Sequence, residues 1–278
     1  MVTFSRAALL ILLVGLVCGC STVRFAYENA DAYVRWKAGS YLDLEGDDAE
    51  ELDDRIDEFH EWHRKNALPK YVTLVNQASQ RFADGLSRED LVWGYDSLRV
   101  QARESLRKAG ELAAPLLDRL KPDQVAQIER RLADENRKFY RDNLRGPERE
   151  RRRKRARLVA DRLEDWVGKL TQAQVQRVRE YAERAPLADE LRDRDRKRLQ
   201  KDVIAIIRAR EAQKRLPERL AHWERGREPA YVAALDAWRE QYFALLLDID
   251  RTLTPEQRAR AAAHLRRYAE DFEILVAR

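Results

Sequence analysis

The densest charge in the chain lies at Arg149, Arg151, Arg152, Arg153, Lys154, Arg155 and Arg157, seven bases within nine residues. A run of this kind suits anionic partners: lipid A phosphates, anionic headgroups or an acidic envelope protein. Its plain structural explanation is a solvated helix face, neutralised in part by an acidic helix. Such a helix is available, because Asp43–Glu61 carries eleven acids against one base, Arg55. Asp43, Glu45 and Asp47 alternate as in a calcium loop. However, the sixth and twelfth positions counted from Asp43 are Asp48 and Asp54, where that loop needs Gly and a bidentate Glu. Acids gathered at a helix N-terminus are favoured by the helix dipole alone. His60 and His63 flank Glu61 and Trp62 at i, i+3, whereas a hydrolytic zinc helix needs its histidines at i, i+4. His63 instead continues the apolar stripe of Leu52, Ile56 and Phe59. No metal is expected.

Nucleophilic catalysis lacks its parts. There is no Gly-x-Ser-x-Gly turn, and the carboxylates are too many for any pair to be singled out. No catalytic residue is expected. The cysteine with a chemical setting is Cys20. Arg6 is the only charged side chain before Arg24, and an apolar run from Ala7 to Val17 leads into Val17-Cys18-Gly19-Cys20. A basic start, a short apolar stretch and small residues before a cut site describe a secretory signal peptide. The stretch is too short to span a bilayer, which takes about 20 apolar residues. Its end resembles a bacterial lipobox with Cys20 as acceptor; Cys18 fits less well behind the bulky Val17. On this reading residues 1–19 are removed and 20–23 form a tether. A diacylglycerol and an N-acyl chain on Cys20 are then the only non-protein groups, and no cofactor is expected. Ser21, in place of a retaining Asp, sorts the protein to the periplasmic face of the outer membrane. Nucleic acid is therefore not an expected partner.

The elements that position these residues are helices. The chain has 54 Lys+Arg and 49 Asp+Glu, a net charge of +5, and 37% charged residues. An average soluble protein has roughly 25%. With 10 Gly and 8 Pro in 278 residues, turn formers are at about half their usual share, too few for a sandwich or barrel. Apolar residues recur at helical spacing, as in Val125, Ile128, Leu132 and Phe139, or Leu235, Trp238, Tyr242, Leu245 and Ile249. The spacing predicts helices over 24–42, 48–66, 70–84, 87–114, 122–144, 148–169, 172–185, 187–215, 230–250 and 255–276. The expected fold is all-α: an elongated bundle of about ten amphipathic helices over 24–278, with 146–147 or 186 as places where it divides into halves.

A five-residue pattern recurs at helix starts: Leu120-Lys-Pro-Asp-Gln124, Leu170-Thr-Gln-Ala-Gln174 and Leu253-Thr-Pro-Glu-Gln257. Leu86–Asp90 and Leu44–Asp48 are degenerate copies. Thr as N-cap with Gln three residues on makes a capping box, and the preceding Leu can staple onto the first turn. Capping alone accounts for the pattern.

Leu-Thr-x-x-Gln repeats opening long helices resemble the motif of the Spy/CpxP-type periplasmic stress chaperones. A second resemblance rests on Ala32-Tyr-Val-Arg-Trp36, Tyr41-Leu-Asp-Leu44, His60-Glu-Trp-His-Arg64 and Leu68-Pro-Lys-Tyr71. These are similar to an uncharacterised family of proteobacterial lipoproteins, and that likeness implies a lipobox followed by helices but no activity. Here Leu44-Glu-Gly-Asp-Asp48 replaces the usual Leu-Thr-Pro-Glu-Gln. The expected function is an outer-membrane-anchored periplasmic lipoprotein of binding or scaffold type, with chaperone-like holding of clients as one form. The alternative is an enzyme acting on an envelope polymer.

Overall fold

The computed structural model describes residues 22–278; the signal peptide expected over 1–19, Cys18 and Cys20 lie outside the described residues. Among the described residues the fold is all-α, without strands. The helices are α1 (Thr22–Glu28), α2 (Ala30–Leu42), α3 (Asp47–Trp62), α4 (Leu68–Ala83), α5 (Arg88–Leu117), α6 (Pro122–Phe139), α7 (Glu148–Val167), α8 (Gln172–Arg184), α9 (Asp189–Arg208), α10 (Ala212–Ala221), α11 (Pro229–Arg251) and α12 (Pro255–Ala277). The accessible surface is 17516 Å². A compact monomer of this mass would expose about 12,400 Å², so the helices form an elongated array.

Three boundaries differ from the sequence expectation, each for a local reason. The single helix expected over 187–215 is two, α9 and α10. Arg210 adopts φ 53°. Glu211 N donates to Ile206 O at 3.1 Å and Arg210 N to Ile207 O at 2.9 Å, which is a Schellman end with Arg where Gly usually stands. Asp118, at the end of α5, then caps α10 from outside by accepting from Ala212 N and Gln213 N at 2.6 and 3.1 Å. The break expected between 66 and 70 is absent. Pro69 cannot donate, and the ladder passes it through a π turn, His63–Ala67, that joins α3 to α4. Asn29 interrupts the helix expected over 24–42, but Asn29 N→Phe25 O and Tyr33 N→Asn29 O carry its bonding across the step.

The leucines of the recurring pattern are core residues. Leu170 belongs to the largest cluster, with Val167, Val178, Tyr181, Leu245 and Ile249, and Leu86 and Leu253 pack against it. Leu120 belongs to a second cluster with Val125, Ile128 and Ile204, and Leu44 packs there. A third joins Ala114, Ile206, Ala212 and Leu216. Beside it α5 and α10 cross so closely that a Cβ on Gly110 would stand 2.9 Å from Pro217 Cα.

Two copies do more than cap. Thr171 and Thr254 each form a full capping box with Gln174 and Gln257. The same two amides then meet face to face: Gln174 Nε2 donates to Gln257 Oε1 at 2.9 Å and Gln257 Nε2 donates to Gln174 Oε1 at 3.0 Å. Their second protons go to Thr252 O and Lys169 O, each two residues before the partner's capping threonine. Every donor and acceptor is used within a site where Gln174 is fully buried. The α7–α8 and α11–α12 hairpins are thereby locked in a near-twofold arrangement. In the Lys121 copy only the return bond exists, Lys121 N to Gln124 Oε1 at 2.8 Å, since an ammonium cannot accept.

Replacing Gln174 or Gln257 by Leu strands the partner amide and two backbone groups. Each single change should cost about 2–4 kcal/mol. The double change should cost less than the sum by about 1–2 kcal/mol, read from urea unfolding at neutral pH.

Candidate functional site

The basic run begins α7, and α7 forms one wall of a solvent-open cleft of about 720 Å³. Arg151, Lys154, Arg155, Leu158, Val159 and Arg162 line it at helical spacing from that wall. The facing wall is α11, with Tyr231, Leu235, Trp238 and Tyr242. Tyr181 and the corner from Pro186 to Arg192 close the third side. Trp238 lies parallel to Tyr242 at 5.4 Å between centroids and 6° between planes, and Tyr181 leans on Tyr242 at 5.7 Å. Burial pushes the Tyr181 hydroxyl up to about 12 and raises Tyr242 and Tyr231 as well. All three are therefore neutral hydroxyls at physiological pH. The cleft joins an aromatic floor to a cationic rim, in the size range of small-ligand sites.

The seven bases divide by role. Arg152 donates to the carbonyls of Ala182, Glu183 and Ala185, and Arg155 to those of Ala185 and Pro186. Both hold the end of α8, where the carbonyls lack helical partners and the dipole favours a cation. Burial lowers the Arg155 pKa from its ordinary value, but a guanidinium remains charged. Arg151 pairs with Glu190, and Lys154 donates to Asp142 O. Arg157 lines the cleft and has no ion pair or hydrogen bond among the described residues; Arg149 and Arg153 are exposed and lie outside it. The rim also takes Arg145, Arg162 and Arg192, which the sequence reading missed. Arg162 stands seven residues from Arg155 on the same helical face, the one local signal that marked it. Arg192 and the tyrosines come from other elements.

The acidic helix is answered elsewhere. Arg35 pairs with Asp31, Asp53 and Asp57, Arg119 with Asp48 and Glu51, and Lys108 with Glu58. In place of the expected neutralisation of 149–157, Asp43–Glu61 is met by bases of α2, of α5 and of the turn after α5. The histidines dock α1. Tyr27 Oη lies 3.1 Å from His63 Nδ1, His60 Nε2 lies 3.2 Å from Tyr27 O, and the Tyr27 ring packs on both imidazoles. No cluster of metal-ligating side chains is present among the described residues.

The model of the family described as "Family of unknown function (DUF6279)" matches residues 40–231. This bears out the resemblance to an uncharacterised family. The match takes in α3 to α10 and the basic wall of the cleft, and stops at the start of α11. No curated protein and no solved structure matches the chain.

Two outcomes follow from the charge geometry. Arg152→Ala should destabilise by about 1.5–3 kcal/mol, while Arg153→Ala should stay within about 0.5 kcal/mol; thermal unfolding separates them. The second concerns His63, whose pKa lies below 6.5 because burial, and then His60, oppose its charge. The unfolded chain takes that proton first, so stability present above about pH 6.5 falls as the pH drops towards the folded value. The protection factors of the α1 amides, with the base-catalysed intrinsic rate divided out, should fall on going from about pH 7 to about pH 5.5, and His63→Gln should remove that dependence. Unchanged protection factors in the wild type would show that Tyr27 docking does not need neutral His63.

Proposed function

The chain belongs to the DUF6279 family, and we propose that this member is an outer-membrane lipoprotein, anchored through Cys20, whose cleft binds a phosphate-bearing headgroup. The single observation that carries the binding role is the aromatic floor of Trp238, Tyr242 and Tyr181 ringed by Arg151, Lys154, Arg157, Arg162 and Arg192. Guanidinium groups suit phosphate oxygens bidentately. A parallel indole and phenol offer a flat face to a sugar ring or glycerol backbone.

The same cleft speaks for binding over turnover. Its carboxylates, Asp142, Glu150 and Asp189, are solvent-accessible at the rim, without the apolar enclosure that a general acid needs. The Leu-Thr-x-x-Gln amides at Gln174 and Gln257 are saturated inside the core, so they are not free to hold a ligand. Anchoring is supported by the Ala7–Val17 run, Gly19 and Cys20, and outer-membrane sorting by Ser21.

Binding is tested through Trp238 emission, with dihexanoyl phosphatidylglycerol and the bisphosphorylated lipid A disaccharide as probes. Arg157→Glu with Arg162→Glu should weaken binding at least about tenfold, or ~1.4 kcal/mol, and Arg149→Glu by less than about twofold. Affinity should drop as salt rises. Equal affinity of wild type and the double reversal would end the reading, and turnover of an envelope polymer would replace it with an enzyme. Palmitate labelling tests the anchor. Cys20→Ala should lose the label, equal labelling would refute lipidation, and labelled protein in the inner membrane would refute the sorting.

A further inference from the structure

In a chain that is 37% charged, the first two helices turn their charges the wrong way round. Of the residues exposed between Thr22 and Leu42, Glu28 alone is charged, and it pairs with Arg278. The three bases of the segment face the body. Arg24 meets the buried Asp271 at 3.0 Å, Arg35 meets acids of α2 and α3, and Lys37 meets Glu135 at 2.8 Å. Large apolar side chains face outwards instead: Phe25 is 63% exposed, Tyr33 61% and Trp36 67%. Phe25, Asn29, Tyr33 and Trp36 fall at i, i+4, i+8 and i+11. The backbone bonds on either side of Asn29 keep the two helices on one face. Ala26 and Ala32 lie beside them, also exposed.

We infer that this face is a membrane-interface surface, lying in the headgroup region of the bilayer to which the chain is anchored. The inference rests on the Cys20 anchor for its placement, since the face begins at Phe25, five residues on from Cys20. Its composition supplies the rest. Trp, Tyr and Phe without free charge suit the headgroup boundary, where such helices sink about 5–10 Å. A second copy of the chain is a poorer occupant. From Phe25 to Gly39 the strip is about 21 Å long at helical rise and about 10 Å wide. That is a fraction of the roughly 800 Å² per partner that a stable dimer buries. Two contacts, the acyl chains and this strip, then fix how the body is held relative to the membrane, where the acyl chains alone would leave it free to swing.

The full chain, purified from bacterial membranes and reconstituted in phosphatidylethanolamine–phosphatidylglycerol vesicles with brominated acyl chains, tests this. Brominated lipid should quench part of the tryptophan emission, and Trp36→Phe should remove that part. Phe25→Ser with Tyr33→Ser and Trp36→Ser should keep the helical circular dichroism and the palmitate label but lose the quenching. A labelled protein whose quenching is the same with and without Trp36 would overturn the inference and leave the anchor standing. Quenching of Trp36 in an unlabelled protein would overturn the anchor and leave the interface standing. Concentration-dependent crosslinking through position 36 without lipid would assign the face to a second copy and overturn the inference.

Discussion

Two buried side-chain amides hold the structure in register. Gln174 and Gln257 each accept from the backbone of their own helix start, exchange hydrogen bonds with each other, and reach a carbonyl of the opposite turn. A buried amide left half-satisfied is costly, so the two hairpins can meet in very few ways. Everything above that point follows from the crossing. Tyr181 lies two turns along α8 from Gln174, and Tyr242 and Trp238 lie on the helix that leads into the second capping turn. The aromatic floor of the cleft is thus set by hydrogen bonds made at its base, out of contact with any ligand.

Much of this was legible from local chemistry. Capping boxes at Ser87, Thr171 and Thr254 marked helix starts because the signal lies within four residues. The leucine before each was legible as a staple onto the first turn, and in the structure all three belong to or pack against one core cluster. What escaped depended on distant partners. The α9–α10 break has no glycine; it exists because Asp118, 94 residues before Ala212 in sequence, supplies the missing cap. Pro69 looked like a stop and is absorbed by a π turn. The reciprocity of Gln174 and Gln257 spans 83 residues, and no property of either motif alone announces it.

The candidate site was legible in part. The dense basic run lies on the helix that forms one wall of the cleft, but the sequence alone treats its members as equals. Their roles divide with what stands opposite each one. Arg152 and Arg155 reach the open carbonyls at the end of α8, Arg155 lining the cleft as well, while Arg157 and Arg162 line the cleft without holding that end. The division also bears on the density of the run, since the same stretch of α7 both holds the end of α8 and lines the cleft. The carboxylates of the acidic helix are met by Arg35 of the preceding helix and by Lys108 and Arg119, which sit far from it in sequence.

The saturated amide pair also bears on what counts as the unit of folding. The span matched by the family model ends at residue 231, before nearly all of α11 and the whole of α12. Those helices supply Thr252, Gln257, Leu245 and Ile249 to the other hairpin. A polypeptide ending there would keep Gln174 and lose its acceptor and its cover together, exposing Val178, Tyr181 and Leu170 to water. The autonomous cooperative unit is therefore larger than the region by which the family is recognised, and its limits are drawn by shared burial, not by sequence similarity.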